Sequence, residues 1–281
     1  MNTVTYNGTP LIYTAGPSGF TSTWSENSWQ GSLGGFYGSD IWTDGENMYY
    51  NDQYVLDKAT STWTTKTWTG ITNSFFGAYV WTDGENIYYS GSNDQFVLNK
   101  ATSTWSAKSW NGFRYVVGQQ VWTDGENIYY SDGSSQYVLD KSTSTWSMKT
   151  WNGLNNFTGK YVWTDGENMY YSVGSSVQYI LNKATSTWSA KSWNGFTELH
   201  GTNIWTDGEN TYYSDDTYQY ILNKATSTWS AKSWSGLNGF SGYDVWTDGE
   251  DIYYDGYVGG MLGHYVLNKA SAPRYAVYYN P

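Results

Sequence analysis

The sequence has no cysteine, only 4 prolines and 2 histidines, and 14 lysines and arginines against 25 acids. The absence of cysteine excludes disulfides, thiolate zinc sites and cysteine nucleophiles together. A net charge of -11 argues against nucleic acid or an anionic membrane surface as the main partner, because both need clustered Lys and Arg to neutralise phosphate. Long apolar runs are missing as well: nothing approaches the roughly 18 consecutive apolar residues of a membrane span. The opening stretch from Met1 to Pro10 lacks the basic and apolar regions of a signal peptide. The expectation is a soluble chain made in the cytoplasm, with association to a virion or a cell surface left open.

Aromatic residues, by contrast, are abundant at 20 % of the chain, with 18 Trp and 29 Tyr among 281 residues. A core of large flat side chains suits sheets more than helices. The organising stretch is Trp42-Thr-Asp-Gly-Glu-Asn47, which returns whole or nearly so at Trp81, Trp122, Trp163, Trp205 and Trp246, at spacings of 39, 41, 41, 42 and 41 residues. A period near forty is one supersecondary unit copied in tandem, too small to bury its own apolar face, so neighbouring copies must cover one another. Twelve of the 25 acids are the Asp and Glu of these six copies. The acidity is therefore largely one turn repeated.

The unit from 79 to 110 shows four short extended runs. Tyr79-Val-Trp-Thr82 (strand A) ends at the hairpin signal Asp83-Gly84. Asn86-Ile-Tyr-Tyr-Ser90 (B) and Gln95-Phe-Val-Leu98 (C) follow, and Lys100-Ala-Thr-Ser103 turns the chain into Thr104-Trp-Ser-Ala-Lys-Ser-Trp110 (D), ended by Asn111-Gly112. Helical spacing is absent. The predicted fold is all-β, a six-bladed β-propeller of four-stranded antiparallel blades, since radial closure leaves few open edges. An open β-solenoid is the competing arrangement. The ends of the chain decide between them: the sixth unit stops after Tyr265-Val-Leu-Asn-Lys-Ala270 without its D strand, while an orphan copy, Thr21-Ser-Thr-Trp-Ser-Glu-Asn-Ser-Trp29, stands at the start. The N-terminal strand is expected to complete the last blade. The division is residues 1–20 as an arm or short hairpin, 21–270 as the propeller, and 271–281 as a tail that pairs with the arm if it pairs with anything.

The units resemble kelch repeats. The positions that carry the likeness are Ile87-Tyr88, then Val97-Leu-Asn-Lys-Ala-Thr-Ser-Thr104, then Trp105, and the pattern covers residues 21–270. The paired glycines that family carries after its Ile-Tyr strand are missing, and a second Tyr takes part of that space. The resemblance implies a propeller that serves as a binding scaffold and names no ligand. A weaker likeness is to tandem propeller repeats encoded by bacteriophages and prophages, which often open with a Thr-Val-Thr-Tyr-Asn-Gly-like stretch. The aromatic repeats of choline-binding modules have about half this period.

Strand order assigns the turns to two faces. The A–B and C–D turns hardly vary among the copies, whereas the B–C turns and D–A crossovers vary freely, which marks the second face for recognition. The candidate ligand-binding residues there are Phe76, Tyr79, Arg114, Tyr115, Lys160, Tyr161, His200, Tyr243, Tyr257 and His264. The six Asp-Gly-Glu turns on the other face present oxygen ligands suited to calcium, but Asp-Gly is also what a tight turn needs and a Lys sits in each neighbouring turn. No metal or cofactor is expected. The Trp pairs such as Trp105 and Trp110 are read as blade-to-blade packing rather than sugar platforms.

Catalysis finds little support. His200 and His264 each occur in one unit, with no Ser-His-Asp order and no His cluster for a metal. A copper radical oxidase of the kelch type would need a cysteine, and a sialidase needs an arginine cluster where this chain has only Arg114 and Arg274. A glycosidase needs just two placed carboxylates and is the remote alternative. The expected function is a non-enzymatic, monomeric module that recognises a surface glycan or a protein through its variable face. The alternative from a different class is a structural or assembly part of a phage tail or surface apparatus, docked through the N-terminal arm.

Overall fold

The computed structural model describes residues 2–6, 9–13, 19–29, 37–71, 75–91, 93–114, 116–154, 157–159, 161–173, 177–196, 198–258 and 260–269. Six four-stranded antiparallel sheets form, each in the order A-B-C-D. Blade I contains Ile41–Thr43, Met48–Tyr50, Tyr54–Asp57 and Thr62–Thr65. Blade II contains Val80–Thr82, Ile87–Ser90, Gln95–Asn99 and Thr104–Ala107. Blades III, IV and V repeat this over 121–148, 162–190 and 204–231.

Blade VI takes Val245–Thr247, Ile252–Val258 and Met261–Lys269 from the end of the chain and Phe20–Glu26 from its beginning. Leu267 stands opposite Trp24 and Tyr265 opposite Glu26. The borrowed strand closes a ring, as the orphan repeat fragment requires. The strand is held from the other side too: Trp24 N–H donates to Ser235 O and Ser235 N–H to Ser22 O, each at 2.8 Å, which ties it to blade V.

The core lies between blades. At the I–II junction Trp42 stacks on Tyr49 at 4.3 Å and meets Trp105 of the next blade at 6.0 Å. Trp105 is 1 % exposed. Val80, Ile87 and Leu98 fill the same cluster, and the five other junctions repeat it. Flat rings bury a large area with few rotatable bonds, so one layer of indoles is enough to hold two thin sheets together.

The structure corrects the expected extent of strand D. It ends at Ala107, so Trp110 belongs to the crossover rather than to the sheet. The chain leaves early to bridge the following blade in parallel: Asn111 N–H donates to Ser144 O and Trp146 N–H to Asn111 O, both at 2.9 Å. Trp110 thereby slides between Trp81 and Trp146, at 5.6 and 5.8 Å. Residues 2–6 and 9–13 pair as a hairpin that lies against the inner strands of blades II, III and IV. The tail 271–281 falls outside the described residues.

Candidate recognition face

The invariant turns leave their aspartates little freedom to bind anything else. In blade I Asp44 Oδ1 accepts the N–H groups of Glu46 at 3.0 Å and Asn47 at 2.7 Å, while Oδ2 accepts the Tyr49 hydroxyl at 2.8 Å. Burial alone would raise this carboxyl, but the donors of Asn47, Glu46 and Tyr49 together hold it below the ordinary range. The turn is a four-residue loop with one left-handed position, Gly45, rather than a two-residue hairpin turn. Lysines from the next blade complete it: Lys100 donates to the Asp44 carbonyl, and Lys58 reaches Asp248 O at 2.7 Å across the I–VI junction. These lysines bind backbone carbonyls and so act as staples between blades, beyond the charge offset that their positions suggest. The aspartates that suggested calcium are engaged by their own turns, whereas glutamates such as Glu46 are exposed.

On the opposite face five of the six crossovers enter their blades through a glycine-led 3₁₀ turn. These are Gly38–Asp40, Gly77–Tyr79, Gly118–Gln120, Gly201–Asn203 and Gly242–Asp244, with Gly159 at the equivalent place. The turns abut in a ring. A Cβ on Gly77 would lie 1.9 Å from the Asp40 carbonyl oxygen, and one on Gly38 would lie 2.2 Å from that of Asp244, where the sixth blade meets the first. No side chain fits there, which explains the glycine in every crossover.

Two circles of varied side chains result around the ring of turns. Preceding each glycine stand Tyr37, Phe76, Val117, Thr158, His200 and Ser241; preceding each inner strand stand Asp40, Tyr79, Gln120, Tyr161, Asn203 and Asp244. Glutamines at the start of strand C hold the crossovers in place. Gln95 Nε2 donates to Val116 O at 2.9 Å, Gln136 to Phe157 O at 2.7 Å, and Gln178 to Leu199 O at 2.9 Å.

The expected site residues occupy this face at different depths. Phe76 is 60 % exposed, with Tyr79 half-buried 6.4 Å away. Arg114 and His200 are exposed, and Tyr161 and Tyr243 are half-buried in the ring of turns. Tyr257, 53 % exposed, stands 6.0 Å from Tyr37, which is 39 % exposed. His264 is turned inward, its Nδ1 2.8 Å from the buried Asp255 carboxylate. Tyr115 and Lys160 lie outside the described residues. The structure therefore gathers Phe76 with Tyr79, and Tyr257 with a partner the sequence did not suggest. The remaining candidates are spread around the ring.

Sequence reading missed Tyr37, Asp40, Gln120, Asn203, Asp244 and Asp255. The signal that finds them is superposition of the six copies, since each sits at a position that varies among its counterparts. Burial, with smaller contributions from the charges of Asp255, Asp40 and Asp216, pushes the Asp244 carboxyl up to about 7, against the lowering effect of the Ser39 backbone N–H. Asp40 is raised by burial too. An open groove lined by Gly133, Gln136, Met148, Trp151 and Phe157 lies on the flank of blade III, away from the Tyr37–Tyr257 pair.

The fold defines the class: a six-bladed β-propeller. The chain is similar to the crystal structure of the extracellular domain of a putative hybrid two-component system from B. thetaiotaomicron, with a TM-score of 0.51 and 12% identity over 83% of this chain. It is similar to the same degree to an extracellular domain from that organism described as part of a putative one-component system, with a TM-score of 0.51 and 12% identity over 89% of this chain. This chain spans 34% of the length of either structure, about a third. No family model matches the sequence, and no curated protein does. The likeness extends to the propeller fold and gives no kelch assignment.

Proposed function

We propose that this protein is a non-enzymatic recognition module that holds a surface glycan or a protein on the face built by its B–C turns and D–A crossovers. One observation carries the reading: the two circles on the ring of turns vary among the blades, while the opposite face and the inter-blade core are copied almost unchanged. A scaffold under one packing constraint keeps its repeats alike wherever packing acts. The propeller this chain resembles is the extracellular domain of a putative two-component system, a setting compatible with binding. The kelch-like pattern and the phage-type opening belong to the same reading as clues to context.

An assembly role through residues 1 to 16 is the second class. It must contend with the hairpin 2–13 lying on the propeller's own inner strands. The test is a glycan and protein array probed with the purified chain, with Phe76→Ala/Tyr79→Ala and Tyr257→Ala variants beside it. Array signal that falls in at least one variant supports the reading. An array without signal, together with a partner that co-purifies and is lost when residues 1 to 16 are deleted, overturns it in favour of assembly.

A further inference from the structure

The six copies act as an alignment inside one molecule, and blade VI, the one built from both ends of the chain, breaks it. In blades II to V strand B carries Ser90, Ser131, Ser172 and Ser214, which accept the strand A indole N–H at 2.9, 3.1, 3.1 and 2.9 Å. Strand C carries Gln95, Gln136, Gln178 and Gln219 beside them. Blade VI has Asp255 and His264 in those two places. Asp255 is fully buried; it accepts the indole N–H of Trp246 and, at 3.2 Å, that of Trp29 from the N-terminal closing segment, and it pairs with His264 Nδ1 at 2.8 Å. A serine serves this place in four blades, so packing does not require a buried carboxyl there, and an ionised one is costly once it loses its partner.

The lysine staples thin out at the same blade. Lys66, Lys108, Lys149, Lys191 and Lys232 each donate to a serine of the next blade, but Asn27 stands in the sixth place. Lys58, Lys100, Lys141, Lys183 and Lys224 each donate to a turn carbonyl of the neighbouring blade, whereas Lys269 pairs with Asp251 of its own blade at 3.1 Å. Each flank of blade VI therefore lacks one staple. On the flank toward blade I the closing segment is tied by Asn27 N–H, which donates to His264 O at 2.7 Å, and by the Trp29 indole on Asp255. Both bonds end on the buried pair. The pair is also the root of the raised rungs Gly256 with Gly263, Tyr257 with Leu262 and Val258 with Met261.

We infer that Asp255 and His264 form a pH-sensitive latch at the closure of the ring, holding Trp29 and the raised hairpin on the acid side and loosening them as pH rises. With one proton between them the carboxyl and the imidazole are neutral as a unit, and groups so close titrate together. When that proton leaves, a bare carboxylate remains buried among neutral donors. Burial raises the Asp255 carboxyl, although His264, Trp246 and Trp29 each act to lower it. A raised folded value means that the contribution of the pair is present at low pH and is lost as pH rises through it. The groups that face the pair add no positive charge. They are Asp244 and Tyr253 of blade VI, Glu26 opposite Tyr265, Tyr257 with Tyr37, and Tyr50 and Tyr54 of blade I, in the cluster of Trp29 and Trp246. Among the described residues no lysine or arginine forms an ion pair with Asp255. The loosened part carries Tyr257, so the variable face changes with the latch.

The test is hydrogen exchange of the whole chain followed by mass spectrometry, corrected for intrinsic rates and compared at about pH 5.5 and about pH 8. Protection in residues 25–29 and 261–264 should fall about tenfold at the higher pH, with the strands of blades II to V unchanged. Asp255→Ser/His264→Gln restores the residues of the other blades, so it keeps the fold, and it should remove the pH response. His264→Gln alone leaves the carboxylate without its partner and should show the loosened state at both pH values. A double variant that responds to pH as the wild type does overturns the inference. So does a loss of protection spread evenly over all six blades, or a response abolished by Asp244→Asn, which would assign it to that carboxyl instead.

Discussion

Asp44 and Asp244 are the same residue type at opposite ends of inner strands, and their environments drive them in opposite directions. Burial raises both carboxyls. At Asp44 two backbone N–H groups and a tyrosine hydroxyl outweigh burial, and the carboxyl is held low. At Asp244 only the Ser39 N–H opposes burial and three neighbouring aspartates, and the carboxyl rises to about 7. The first arrangement is what a structural turn requires. The second keeps an acceptor unmatched, which costs stability and marks the places where proteins hold function.

The largest effect separates the repeated core from the variable face. Trp105→Ala should lose ~3–5 kcal/mol of unfolding free energy in a denaturant titration, because it empties the centre of an inter-blade cluster. Phe76→Ala, on an exposed side chain, should stay within about 0.5 kcal/mol. Equal losses would mean that the variable face is packed as a core. Gly77→Ala asks whether the ring of turns is as rigid as the core beneath it. Its Cβ would collide with the Asp40 carbonyl, and a cost of about 1–3 kcal/mol is expected, with a lower thermal midpoint.

Within the invariant turn the two acids should differ. Asp44→Ala strands three donors and should cost about 1–3 kcal/mol, whereas exposed Glu46→Ala should be nearly neutral by the same urea measurement. The pH response is the smallest and sharpest test. Asp244 has a folded pKa above its unfolded value, so its contribution is fully present below about pH 4 and is lost as pH rises toward 7. Asp44 is depressed, so its contribution is present above the ordinary carboxylate range and is lost as pH falls through its folded value. The thermal midpoint of Asp244→Asn should therefore fall less between pH 4 and 7 than that of the wild type, with the acid-side loss unchanged. Asp44→Ala should reduce the acid-side loss instead.

Strand identity was legible because alternation along a strand and a forty-residue period are local properties, visible in Trp81, Tyr88, Leu98 and Trp105 alone. The closure of the ring was legible for a similar reason, since Thr21-Ser-Thr-Trp24 is a recognisable fragment out of place. Trp110 was assigned to the wrong element because its true partner, the parallel bridge from Asn111 to Thr145, lies in the next blade and leaves no mark on periodicity. His264 looked like a surface ligand contact because Asp255, which turns it inward, reads as a loop acid until the copies are superposed on Ser172 and Gln178.

The sequence by itself determined the six units, their antiparallel strands and the borrowed outer strand, because each depends on side-chain period and on turn residues that act within a few positions. Only the tertiary structure decided that Tyr37 meets Tyr257, that Asp244 is left with an unmatched oxygen, and that the lysines are tied to turns and to the next blade. Those outcomes depend on which residues the closed ring brings side by side, and contacts between different blades are fixed by packing rather than by any local preference.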